Sequence, residues 1–373
     1  MLEEIYIKNF KSFQEAEINL SALNLFTGLN GMGKSSFIQV LLLMRQTYLV
    51  NKRFEKELIL QRDLVNIGLG VDAAAEYRTD DKIRFELGWE SEVHLDCEIK
   101  YSPEIAEFDI LPAEFQTDIR GTEALFSHRF EYLNALRISP ANHFGFSTYD
   151  VEKLDSLGTQ GEYSLHYLDK FAREEINIKA LAHPDSDDDF TLAGQVELWM
   201  SYISPGLRIE PFTDRNSEMS GATFSYEIAA SKTKTKDFKP KNVGFGITYV
   251  LPVILSVLKA APGDFIIIEN PESHVHPRGQ AQLGELFAIA AQNGVQLIIE
   301  THSDHVLNGI RVATKRKMIA PENVGIFFFK RDRKSDEHLS VIVQPMIDEN
   351  GRLDEYPEDF FDEWSKRLDD LLD

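Results

Sequence analysis

Ile5 and Ile7 alternate with polar neighbours near the start of the chain, the period-two pattern of a strand with one buried face. Ala16 to Leu20 and Leu23 to Thr27 predict two more short strands. A glycine-rich turn follows, and then a helix from Lys34 to about Tyr48. Toward the other end, Asp264 to Glu269 (DFIIIE) and Val295 to Glu300 (VQLIIE) are continuous apolar runs. Such runs suit strands covered on both faces in a parallel sheet. Between them, Pro277 suits the first turn of a helix that runs to about Asn293, with Gly294 as its stop. Ser303 begins another helix, and Val324 to Phe329 forms a further strand. Strand and helix alternate, so the fold class is α/β, a mixed sheet flanked by helices.

The middle of the chain breaks this rhythm. Residues 52–241 carry short strand-like pieces such as Arg84 to Leu87 and Val93 to Ile99, interrupted by the acidic loop His183 to Asp189. No internal repeat and no long heptad run occurs. The expectation is a core built from 1–51 and 242–345 around a large α+β insertion, 52–241, with a short acidic C-terminal domain at 346–373. In that tail Phe361, Trp364, Leu368 and Leu371 fall at helical spacing and predict a short amphipathic helix. It reads equally as a docking element and as a helix that completes the fold.

Composition narrows the partners. Lys and Arg number 39 against 61 Asp and Glu, a net charge of −22, which opposes general coating of nucleic acid. Any such contact falls to a local basic segment, and Lys232 to Lys241 is the candidate, with a solvated hairpin as the plainer reading. Cys97 is the only cysteine, which excludes an intramolecular disulfide framework. No apolar run approaches the roughly 20 residues that span a bilayer. The first residues, MLEEIYIKNF, lack the basic and apolar regions of a secretory signal. The expectation is a soluble, cytoplasmic protein without a membrane partner.

Gly28-Leu29-Asn30-Gly31-Met32-Gly33-Lys34-Ser35 fits G-x-x-x-x-G-K-S between a predicted strand and a predicted helix. Glycines let backbone N–H groups turn toward phosphate oxygens, and the helix N-terminus adds positive partial charge. Lys34 would neutralise the β- and γ-phosphates, and the Ser35 hydroxyl would ligate Mg²⁺. Glu269, Asn270 and Glu272 end the DFIIIE strand, where open α/β sheets place ligands, and a carboxylate there can hold the magnesium shell. Glu300-Thr301-His302-Ser303 ends the next strand, and a histidine at a strand tip can bond a γ-phosphate or an attacking water.

With IKNFKSF at the N-terminus, GLNGMGKSS, IIIENPESHVHP and ETHSDH, the chain resembles the ABC-class P-loop ATPases that include RecF, SMC and OLD proteins. Within that class it is similar to bacterial AAA-annotated ATPases whose acidic C-terminal segment ends in GRLDEYPEDFFDEW, relatives of which serve anti-phage defence, among them the Septu ATPase subunit. The resemblance implies ATP and Mg²⁺ as cofactors. It places the nucleotide on Asn30, Gly31, Met32, Gly33, Lys34, Ser35 and Ser36, and the metal on Ser35 and Glu269. Ser273 to Pro277 stands for the D-loop and His302 for the switch histidine. Gly244 and Gly246, in NVGFGIT, stand for the ABC signature, although the usual Leu-Ser-Gly-Gly is absent. Two ATP molecules would be sandwiched between two heads, in a homodimer or a higher oligomer, and a partner effector, such as a nuclease, would respond. Gln61 is the candidate for the Gln-loop.

One position departs from the pattern. Asn270 occupies the place of the usual catalytic glutamate, and an amide cannot accept a proton at neutral pH. Either Glu272, the preferred candidate, or His302 takes over, or hydrolysis is slow. The competing functions are therefore a turning-over ATPase, a nucleotide-gated scaffold and a RecF/SMC-like repair ATPase, the last without the long coiled coil of SMC proteins. His274, His276, His302 and His305 also permit a zinc reading, which the phosphate loop makes the weaker explanation. Arg137, in LNALRISP, reads either as a phosphate or partner contact or as a structural ion pair.

Overall fold

The N-terminal alternation becomes a nine-residue strand, Leu2–Phe10, in which Ile5 and Ile7 are buried and Glu4 is exposed. The computed structural model describes every residue except 229–232, 333–337 and 373, and no side chain at 363–365, 369 or 372. Leu2–Phe10 lies in a five-stranded antiparallel sheet between Phe13–Asn19 and Lys82–Trp89, continued by His94–Lys100 and Glu114–Thr117. The piece predicted at Arg84 to Leu87 lies inside one of these strands, and Val93 to Ile99 matches another shifted by one residue, since that strand begins at His94.

Leu23–Gly28 is buried throughout and pairs in parallel with Val324–Arg331, which takes Ser340–Val343 as an antiparallel neighbour. Against it packs the helix Lys34–Asn51, whose inner face carries Phe37, Ile38, Leu41 and Met44. Phe37 meets Phe13, Phe26 and Phe329 edge-on, with centroids 5.8 to 5.9 Å apart. Each such aromatic pair adds about 0.5–1.5 kcal/mol beyond area burial, so the base of the phosphate loop rests on a stiff floor. These elements belong to one of two compact units, Met1–Ser127 with Val324–Met346 and Leu353–Asp373. Phe360 anchors the acidic tail in that unit, buried edge-on against Phe328 at 5.3 Å. The tail helix runs from Glu363 to Leu372, so Phe361, expected on its face, instead precedes it in a left-handed turn at φ 53°. Leu371 is 82% exposed.

The second unit comprises His128–Asn323 and Ile347–Arg352. Phe265–Glu269 and Gln296–Glu300 run in parallel with Glu269 opposite Glu300, and Phe130–Leu133 adds a third parallel strand beside the first. Ile266, Ile267 and Ile268 are buried, and truncating such a residue to alanine costs about 2–5 kcal/mol. Three helices serve these strands: Phe245–Leu258, Pro277–Gln292 and Asp304–Lys315. The last two touch backbone to backbone, since a Cβ at Gly309 would overlap the Ala281 carbonyl oxygen. His276 and Ser303 cap them, each accepting main-chain N–H bonds from the first turn. The stretch 52–241 contributes to both units, and its latter part includes the hairpin Leu207–Asp214 with Met219–Ile228. No helix among the described residues is long and apolar enough to cross a membrane.

Candidate functional site

The phosphate loop lies in the first unit. Gly31 and Gly33 have φ of 77° and 97°, the left-handed region where a side chain is strained. Their surroundings differ. A Cβ at Gly33 would stand 2.6 Å from the Phe13 ring, whereas nothing lies within 4 Å of one at Gly31. The loop is therefore pinned at its base and open at its crest. Asn30, Gly31 and Ser35 are exposed, and Met32, Gly33 and Ser36 are half-buried. Lys34 is buried, and its ammonium donates to the Gly28 and Leu29 carbonyl oxygens, each at 2.9 Å. Those bonds fold the side chain back along the loop, so the cation sits within the turn that would hold phosphate. Gln61 is in the same unit, where its side-chain amide donates to the Gly68 carbonyl oxygen at 2.8 Å.

The acidic strand end lies in the second unit. Tyr132 donates its hydroxyl to Glu269 Oε1 at 2.7 Å, and Arg137 Nη2 donates to the Glu269 carbonyl oxygen at 2.8 Å. Burial pushes the Glu269 carboxyl above its usual range; the Tyr132 hydroxyl, the Ala135 amide and the Arg137 charge oppose that shift. Burial also pushes Tyr132 upward, and it pushes Arg137 down to about 10. Asn270 turns with φ 46°, its main-chain N–H bonded to the Glu300 carbonyl oxygen at 2.8 Å. Its side-chain Oδ1 is buried without a partner. Glu272 has both oxygens engaged: Oε2 accepts from the Thr301 hydroxyl at 2.7 Å and Oε1 from the His302 main-chain N–H at 2.8 Å. That carboxylate fixes the loop that presents the exposed His302.

The signature-like segment opens the helix Phe245–Leu258, with Gly244 as its N-cap. A Cβ at Gly244 would meet nothing within 4 Å, while one at Gly246 would stand 2.5 Å from the His274 carbonyl oxygen. Gly244 is thus the open glycine, and Gly246 lets this helix pack on the Ser273 to Pro277 turn. His274 adds ring contacts with Phe245 and Tyr249. His276 is occupied as a helix cap, and His305 lies 3.6 Å from Asp304. Among the described residues, no group of three or more His, Cys, Asp or Glu is placed to hold a metal. In the basic segment Lys232 is outside the described residues, Lys234 pairs with Glu210 and Asp237, and Lys236 covers the Phe238 ring.

Tyr132 escaped the sequence reading. Its signal was the short stretch Phe130 to Leu133, which runs into LNALRISP and forms the strand beside Glu269. In the first unit, the open glycine crest, the held ammonium and the Ser35 hydroxyl suit a phosphate chain. In the second unit, taken by itself, Glu269 offers a carboxylate, the kind of oxygen ligand that Mg²⁺ takes.

Residues 1–189 match the family described as "AAA ATPase domain". Residues 144–308 match an AAA domain family whose description links it to the AbiEii toxin of a type IV TA system. Residues 319–371 match "Protein of unknown function (DUF3696)". No curated protein matches the chain. Among solved structures, the chain is similar to an SMC head bound to the C-winged helix domain of ScpA, at 13% identity over 92% of this chain and 98% of that one, with a TM-score of 0.53. An SMC head from Thermotoga maritima aligns at 14% identity over 93% of this chain and 99% of that one, TM-score 0.45. A third, an SMC head with an extended coiled coil bound to the C-terminal domain of ScpA derived from Pyrococcus furiosus, aligns at 14% identity over 100% and 99%, TM-score 0.48. Identity this low speaks to fold alone, and the fold is that of a P-loop NTPase, a mixed sheet flanked by helices.

Proposed function

The chain belongs to the AAA ATPase domain family, and from that premise we propose that it binds and hydrolyses ATP with Mg²⁺ as one head of an ATP-linked pair. The observation that carries the reading is the phosphate loop itself, with Lys34 folded into a turn whose glycine crest stands open. Lys34 and the N-terminus of its helix stabilise negative charge on the phosphates. By the sequence resemblance, Ser35 and Glu269 would hold the metal, which would neutralise charge on the transferring group. Tyr132 aims the Glu269 carboxylate. Asn270 orients water, His302 meets the γ-phosphate, and Glu272 steadies the loop that carries His302. Gly244 offers the open backbone of the signature to a second copy, in a dimer or a larger assembly. A protein partner would read the state of the heads, as a ScpA domain is bound to the SMC head in the similar structure. On the sequence resemblance, we take that partner to be an effector, a nuclease among the candidates, and the setting to be cytoplasmic anti-phage defence. Lys34→Ala is the test: phosphate release should fall to background, and undiminished turnover would refute the site.

A second reading, a slow nucleotide-gated switch, is favoured by one residue. Asn270 places an amide where a proton acceptor is expected. Asn270→Glu should then accelerate phosphate release, and a wild-type rate already at about 1 s⁻¹ or above removes the need for this reading.

A further inference from the structure

At one strand end of the second unit, the buried Arg137 and the half-buried Asn134 and Asn270 carry buried polar atoms with hydrogen-bonding capacity unspent. Arg137 is 5% exposed and bonds the Glu269 carbonyl oxygen through Nη2, yet its Nε and Nη1 have no partner. Asn134 Oδ1 and Asn270 Oδ1 are likewise buried and unpartnered. The parallel register sets Leu133 opposite Ile268, so Asn134 and Asn270 leave neighbouring strands at almost the same level. A buried donor or acceptor left unmet is destabilising, and four such atoms lie at this strand end. Buried polar groups without a protein partner are in most cases satisfied by ordered water. An anion is the poorer fit, because Glu269 and Glu272 already face the guanidinium.

We propose that Arg137 is a positioning residue: it fixes the peptide between Glu269 and Asn270 and, through its Nε–H and Nη1–H, holds a buried water shared with the amide oxygens of Asn134 and Asn270. The planar guanidinium supplies donors in fixed directions, which a lysine ammonium cannot reproduce. One orientation of the Asn270 side chain follows, since its oxygen is tied to that water. The inference rests on the hydrolysis reading above and gives Asn270 a support that motif spacing does not show.

The test uses the full chain with Mg²⁺ and ATP, and the variants Arg137→Met, Arg137→Lys, Asn134→Ala, Asn270→Ala and Arg137→Met/Asn270→Ala. Arg137→Met should lower kcat by about 10²-fold, the scale of a misplaced reacting group, with nucleotide affinity unchanged in a fluorescence titration. Arg137→Lys should not restore the rate. The double variant should lose no more than the worse single variant, because Arg137 acts through Asn270. Losses that multiply, a fall in nucleotide affinity, or an unchanged kcat would each overturn the role. Should Arg137→Met fail to fold by thermal melting, Arg137→Lys and Asn134→Ala carry the same comparison. Independently, a high-resolution crystal structure should show a water bonded to Arg137 and to one or both amides, and a dry cluster would sink the proposal whether or not the protein hydrolyses ATP. Turnover that survives Lys34→Ala defeats the parent reading instead.

Discussion

The phosphate loop and the acidic strand end solve the problem of holding polar groups in opposite ways. The loop uses what is adjacent in sequence: Lys34 bonds carbonyls five and six residues away, and the strained turns fall on glycines. At the acidic end the groups are held from afar. Tyr132 reaches Glu269 across 137 positions, Arg137 across 132, and Thr301 reaches Glu272 across 29. A motif of local bonds survives as a string of letters; a cradle of distant bonds shows only its tips. The loop should therefore be sensitive to backbone strain, and the acidic end to the loss of single partners.

Gly33→Ala should have the largest effect. It places a Cβ at a left-handed φ and against the Phe13 ring, so strain and overpacking together cost about 2–5 kcal/mol. Gly31→Ala meets open space and should cost only the strain, about 1–2 kcal/mol. Denaturant midpoints of the two variants measure the difference. Equal losses would show that the Phe13 floor does not constrain the loop.

Glu272→Gln comes next and tests the acidic end. A Gln side chain offers one acceptor oxygen to two donors, the Thr301 hydroxyl and the His302 N–H, so one bond is lost. A bond to a charged group is worth about 1.5–3 kcal/mol, and that loss should appear in thermal unfolding. If Glu272 were instead the proton acceptor, stability would hold while the rate fell about 10²–10⁴-fold.

The same contrast explains what the sequence disclosed. The buried strands were legible because DFIIIE and VQLIIE are built around runs of apolar residues, and the helix starts because Pro277 and Ser303 are punctuation that acts locally. Lys34, Ser35 and Glu269 stand in motif letters that can be read directly from the sequence. Tyr132 does not, since nothing in Phe130 to Leu133 says which strand it will pair with. Gly246 was read for phosphate approach, but the structure gives it a packing reason against His274. Phe361 illustrates the reverse error, a residue with helical spacing that lies ahead of the helix because its backbone turns left-handed.

The smallest effect comes from a buried group outside both the phosphate loop and the acidic strand end. His183 is 2% exposed, its ring set against Trp199 and Tyr202, and Nδ1 accepts the Asp185 main-chain N–H at 3.1 Å. Burial lowers its pKa, and the charge of Asp185 opposes that only in part. The folded state therefore favours the neutral ring. Its contribution is complete above the unfolded value near 6.5 and is lost as pH falls through the lower folded value. Glutamine at this position can keep an acceptor for the Asp185 N–H but has nothing to protonate. Between about pH 7 and pH 5 the wild type should lose more stability than His183→Gln in thermal unfolding, without any nucleotide present. His166, also lowered by burial, remains in both proteins and cancels from the difference. Parallel curves across that window would mean that the imidazole ionises as freely in the folded chain as in water, and that long-range burial sets less of the second unit's chemistry than the strand end suggests.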